Sequence, residues 1–191
     1  MIANPLSFDE KRLLLELARR SIELAVNQQP LLQLDMDEFS PALCEDGAAF
    51  VTLTEDGELR GCIGALEAYQ PLVQDVCEHA AAAALEDYRF LPVRPEEVAH
   101  LKIEISRLTT PVPFPYDQPA DLLRKLRPGI DGVILRDGIR RATFLPQVWE
   151  DVPDPSEFLA HLCMKMGAPA NLWQKKLLQV SVYEVEEFKE E

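Results

Sequence analysis

The stretch AAFVTLTEDGELRGCIGAL, Ala48 to Leu66, decides the fold of this chain. AAFVTLT reads as a strand, EDG as a turn and ELRGCIGAL as the returning strand, so the expectation is a β-hairpin. Alternate residues of a strand share a face. Arg60 and Cys62 are therefore expected on one side, and Leu59 and Ile63 on the other. A guanidinium two residues from a thiol favours the thiolate, which is what a reactive cysteine needs. Gly61 and Gly64 permit close approach of a ligand or a second segment, with backbone N–H groups left as donors. The packing reading stands beside this one: free cysteine is commonly buried, a strand glycine often marks a bulge, and a strand arginine usually meets a carboxylate such as Glu104.

Working outward, Ser7 and Glu10 fit a capping box at the head of a helix whose apolar residues, Leu14, Leu17, Ala18, Leu24 and Ala25, recur at helical spacing. After the hairpin, Pro71 opens a second helix with a narrow stripe of mostly small residues, suited to lying close against a sheet. Cys77 in that stripe reads as a buried filler. EDYRFLPVRP, residues 86–95, is an irregular loop because Pro92 and Pro95 forbid regular structure there. LKIEISRL, Leu101 to Leu108, alternates as a strand.

The proline-rich TTPVPFPYDQP, residues 109–119, is the expected boundary between two lobes of a single 191-residue domain. Beyond it come a short helix, a second hairpin turning at Asp137-Gly138, a helix capped by Asp154 and ended by Gly167, and a final strand, QVSVYEVEEF. Superposing the hairpins on their Asp-Gly turns places Arg60 on Arg141, Gly61 on Ala142 and Cys62 on Thr143. An internal duplication would follow from that match.

Composition narrows the partners. The 33 acidic residues outnumber the 19 basic ones, for a formal charge of −14. Polyanion binding relies on lysine and arginine displacing counterions, so nucleic acid is disfavoured. The basic stretch LRDGIRR keeps an RNA-binding alternative open. No run approaches the ~20 apolar residues of a membrane span, and the start of the chain lacks the pattern of a signal peptide, so a cytoplasmic location is expected. The four cysteines form no C-x-x-C pair, and the three histidines are scattered. No metal and no cofactor are expected. His161 and Lys165, four apart on one helical face, project into a cleft or into water. P-loop, Rossmann, G-x-S-x-G and H-E-x-x-H patterns are missing.

LRGCIGAL, EDYRFLPV, KIEISRL, GIDGVIL, ATFLPQVW and FLAHLCMKMGAPANLW resemble, in that order, the successive motifs of the AMMECR domain family. The resemblance runs from about residue 50 to the C-terminus. It implies an α+β fold of two unequal lobes around a cleft lined by LRGCIG, with a largely antiparallel sheet built from hairpins and flanked by helices. It also implies a place beside a Memo-type protein and a radical-SAM protein in a modification pathway, without supplying a reaction. On the catalytic reading, Cys62 is the nucleophile or transient carrier, Arg60 tunes it or binds an anion, and Glu104 orients Arg60. On the alternative reading, the chain is a non-catalytic module that binds a small anionic ligand or a partner through Arg60 and Arg89. The remaining candidate ligand contacts are Gly61, Gly64 and Thr143. Two departures from the family pattern fall nearby: Ala65 stands where a small hydroxyl residue is usual, and Tyr88 and Leu91 stand where the loop D-P-R-F-P-P has prolines.

Overall fold

The computed structural model describes residues 4–191. Helix α1, Phe8–Val26, begins at the expected capping box: Ser7 Oγ accepts the Glu10 N–H, and the Glu10 carboxylate accepts the Ser7 N–H. The hairpin is β1, Asp46–Glu55, and β2, Glu58–Gly64, turning through Asp56 and Gly57, both at positive φ. A short helix α2, Pro41–Cys44, precedes it, and a two-residue strand β3, Gln70–Pro71, pairs with the start of β1. Helix α3, Leu72–Leu85, then leads through the irregular loop to β4, Leu101–Leu108.

The second half holds β5, Val112–Pro113; α4, Pro119–Lys125; the hairpin β6, Gly132–Asp137, and β7, Arg140–Phe144; α5, Val148–Asp151; α6, Pro155–Lys165; and α7, Leu172–Lys175. The final segment corrects the single strand expected from its sequence. It breaks at Glu184 into β8, Gln179–Tyr183, and β9, Val185–Lys189, which belong to different sheets. The second hairpin also turns one residue later than expected, at Gly138-Ile139, because Asp137 already pairs with Arg140.

The described residues form two compact units, residues 4–109 with 186–191, and residues 110–185. The first has the strand order β2-β1-β4-β9, with β3 beside β1, and the second β7-β6-β8-β5. Each unit runs hairpin, helix, strand, with the post-helix strand pairing on the first strand of its hairpin. The two units thus repeat one ββαβ order. The fourth strand of each is exchanged: β5 follows β4 in the chain and joins the second sheet, while β9 follows β8 and joins the first.

In the first unit, α1 and α3 cover one face of the sheet. Leu14, Ala18 and Ile22 of α1 and Val73, Val76 and Ala80 of α3 meet Val51, Leu53, Ile103 and Ile105 in one core. The second core gathers Val133, Leu135, Phe158, Leu159, Leu162 and Trp149, with Trp149 stacked on Phe158 at 3.6 Å between ring centres. Among the described residues no helix is long and apolar enough to cross a membrane.

One charged group is fully enclosed in the first core's rim. The Asp75 carboxylate, with no exposed surface, accepts the Ala49 N–H at 2.9 Å and contacts His79 Nδ1 at 3.1 Å. It ties α3 to β1 where the strand enters the sheet. Asp75→Ala orphans both groups, and the urea midpoint should fall by the equivalent of about 1–3 kcal/mol with an unchanged slope. A loss below about 0.5 kcal/mol would show that the tie contributes nothing.

Candidate functional site

Counting back from the hairpin turn, an unbroken ladder would pair Cys62 with Val51, a fully buried residue on the helix-covered face. The ladder is not unbroken. Thr54 pairs with Leu59 and Leu53 with Gly61, so Arg60 is the extra residue of a β-bulge. A one-residue slip moves every later side chain to the other face. Cys62 therefore pairs with Thr52, on the face away from α1 and α3, and Gly61 turns inward instead. Leu59, opposite Thr54, shares the side of Cys62, which corrects the expectation that the two face apart.

The backbone of Cys62 is held by the loop after α3. Its N–H donates to Asp87 Oδ2 at 2.8 Å, and its carbonyl accepts from Arg89 Nη2 at 3.4 Å. These groups point away from β1, so Cys62 and Thr52 form the pair without mutual backbone bonds, in which side chains approach most closely. Thr52 Oγ1 lies 3.3 Å from Cys62 Sγ. β1 pairs Thr52 with Glu104 on its other side, extending a row of thiol, hydroxyl and carboxylate across three strands.

Asp87 is the fixed point of this arrangement. It is buried and also takes Arg89 Nε at 2.9 Å and Nη2 at 2.6 Å. The Arg89 bonds, with the N–H groups of Cys62 and Arg89, outweigh desolvation and hold the Asp87 carboxyl well below the usual range. The same bonds raise the Arg89 guanidinium above its ordinary value. The Arg89 side chain nonetheless remains 44% exposed, a cation presented beside the Cys62 carbonyl.

Arg60 goes elsewhere. Its Nε donates to Glu97 Oε1 at 3.1 Å and its Nη1 to the Leu91 carbonyl at 2.9 Å, leaving the side chain 15% exposed. Glu97, not Glu104, is the carboxylate that orients Arg60. The Arg94 N–H and then Arg60 hold the Glu97 carboxyl down to about 2. The expected pairing with Glu104 fails because the bulge turns the arginine toward the loop while Glu104 stays in the row with Thr52.

The glycines serve contact within the unit. A Cβ on Gly61 would lie 2.2 Å from the Ala83 carbonyl oxygen of α3, and one on Gly64 2.4 Å from the Ala49 carbonyl oxygen. Thr143 belongs to the second unit, buried, its hydroxyl 3.0 Å from that of Tyr183. Burial pushes the Tyr183 hydroxyl up to about 12. Lys165 Nζ donates to the Thr143 carbonyl and sits over the Phe144 ring, while His161 is exposed. Within the strand ladders Cys62 and Thr143 do occupy equivalent positions, because the bulge offsets the later turn of the second hairpin. Arg141 then corresponds to Leu59 rather than Arg60.

Thr52, Asp87 and Glu97 were not among the residues expected at the site. Asp87 had a signal, standing two residues before Arg89 where an aspartate commonly accepts local N–H groups. Thr52 had none, since its pairing depends on the bulge. Among the described residues no group of three or more His, Cys, Asp or Glu is placed to hold a metal ion.

The AMMECR1 family model matches residues 15–188. A protein of Methanothermobacter thermautotrophicus is 38% identical over 188 residues, covering 98% of this chain and 97% of its own length. Protein MK0488 of Methanopyrus kandleri is 38% identical over 190 residues, covering 97% and 91%. The crystal structure of the uncharacterized protein PH0010 from Pyrococcus horikoshii superposes with a TM-score of 0.83 at 34% identity, over 97% of this chain and 94% of that one.

Proposed function

Since the chain belongs to the AMMECR1 family, we propose that it acts in a modification pathway beside a Memo-type protein and a radical-SAM protein, with Cys62 as the group that carries the chemistry. The observation that supports this is the bulge at Arg60, which turns the thiol out of the helix-covered core and onto the other face of the sheet. A cysteine kept only for packing gains nothing from that turn. Cys62 Sγ attacks an electrophilic carbon of the ligand, an S–C bond forms, the leaving group departs with its bonding pair, and the thiol proton passes to solvent. Arg89 receives an anionic group of the same ligand, because it is the partly exposed cation beside Cys62.

Two alkylating agents that differ in charge test both roles. Folded protein is treated with iodoacetate or with iodoacetamide, and the modified cysteines are mapped by mass spectrometry. Cys62 should react ahead of Cys77 and Cys163, both buried with thiols pushed up by desolvation. Arg89→Gln should lower the iodoacetate rate at Cys62 about three-fold relative to the iodoacetamide rate, the size expected of a partly exposed charge pair. A Cys62 that stays inert until the protein unfolds would remove the thiol from the function.

A second reading, a binding module without covalent chemistry, draws on the same exposed Arg89. It predicts that Cys62→Ser supports a reconstituted pathway as well as the parent chain does, while Arg89→Gln does not. Arg60 contributes to that reading only by holding the loop, since Glu97 and the Leu91 carbonyl occupy its guanidinium.

A further inference from the structure

We infer that Thr52 is the residue that activates Cys62, its hydroxyl donating to the sulfur as the thiolate forms. The inference deepens the thiol reading above and rests on it. In the sheet, the Thr52 hydroxyl is the polar group that the ladder places directly across from the thiol, 3.3 Å from Sγ. Both backbones are fixed on either side. Thr52 lies between β2 and β4 in the middle of the ladder, and Cys62 is clamped by Asp87 and Arg89. The β-branched threonine has few rotamers to choose from, so the contact costs little to hold.

The charged groups of the neighbouring segments make no hydrogen bond to the sulfur. Asp87 and Arg89 spend their hydrogen bonds on each other and on the Cys62 backbone. Glu104 stands one strand further along the row, and Lys102 faces Thr54 in the next row. Arg60 is turned toward Glu97. A neutral hydroxyl accepts from a thiol and donates to a thiolate with only a rotation of its proton, so it supports the sulfur in both states. Donation to a charged acceptor is the stronger of the two bonds, and removing it selectively raises the cost of the thiolate.

The test is alkylation of Cys62 by iodoacetamide, in which an S–C bond forms and iodide leaves. Thr52→Val keeps the shape and the strand preference and removes the hydroxyl. The expected result is an about ten-fold slower reaction at pH 7, with the pH–rate profile displaced to higher pH, the size expected for a hydrogen bond to a charged sulfur. Thr52→Ser should restore the parent rate to within about two-fold, since it returns the donor. Glu104→Gln, in the same row but one strand from the sulfur, should change the rate less than Thr52→Val does. Thermal melts of all three verify that the sheet is intact. If the parent Cys62 reacts and Thr52→Val reacts equally fast, Thr52 has no activating role and the thiol reading survives. If the parent Cys62 is inert in the folded protein, the thiol reading fails and the role of Thr52 fails with it.

Discussion

Gly61→Ala should destabilise the protein by about 3 kcal/mol, the upper end of what overpacking costs. The added Cβ would stand 2.2 Å from the Ala83 carbonyl oxygen and 3.1 Å from its carbon. Both are backbone atoms in α3, so no side-chain rotation relieves the clash. Either α3 moves away from a core it shares with Val51, Leu53 and Ile103, or β2 lifts from the sheet edge. Urea unfolding measures the loss, and Gly57→Ala is the control. Gly57 sits at φ +87 with nothing within 4 Å of the added atom, so only the backbone strain of a non-glycine residue at positive φ is added there. A Gly61→Ala midpoint within about 1 kcal/mol of the parent would mean that the strand does not press on the helix as described.

The second large effect is expected at Asp87. Its side chain is nearly enclosed and accepts from the Cys62 N–H, the Arg89 N–H and two Arg89 side-chain nitrogens. Asp87→Ala leaves these donors without their acceptor, at about 2–3 kcal/mol. The loop from Asp87 to Glu97 should loosen with it, which accelerated proteolysis or amide exchange at residues 88–91 would register.

Acid provides an independent readout of the same clamp. Asp87 and Glu97 both have their carboxyl groups held below the ordinary range, Glu97 to about 2. A carboxylate depressed in the folded state contributes stability that is full above its unfolded value near ~4 and is lost as pH falls through the folded value. Stability should therefore be level in these two groups from pH 7 to about 5 and fall from about pH 4 to below 2. Asp87→Ala should flatten that decline. An equal acid slope in parent and variant would mean that Asp87 is not depressed by folding.

The elements whose determinants are local could be read directly from the residues. The Ser7/Glu10 capping box started α1, Asp154 and Gly167 bounded α6, and Asp56-Gly57 turned the first hairpin. What the residues did not reveal depends on partners far along the chain. The bulge at Arg60 leaves no mark in the local pattern, because Leu59, Arg60 and Cys62 fit regular alternation as well as they fit an interrupted one. Its consequence is large, since it decides whether Cys62 meets Val51 or Thr52. The choice of Glu97 over Glu104 for Arg60 follows from the same residue and from a loop whose path is set by prolines rather than periodicity. The split of QVSVYEVEEF between two sheets is also non-local. Each half alternates acceptably, and only the strands awaiting them, β6 for one and β4 for the other, separate the two.

The exchanged fourth strands set an order of events during synthesis. Glu186 accepts from the Leu6 N–H, Lys11 and Arg107, and Glu190 receives Arg19 and the Ile103 N–H, so the last strand and the residue after it bring two carboxylates to three cations of the first unit. Until the ribosome has passed through the whole second unit, those cations lack these carboxylates and the open side of β4, with its alternating isoleucines, has no neighbouring strand. A nascent chain in that condition is a template for wrong strand pairing. The first unit to be translated is thus the last to be finished, and the reliability of its sheet is inherited from how promptly residues 110–185 fold.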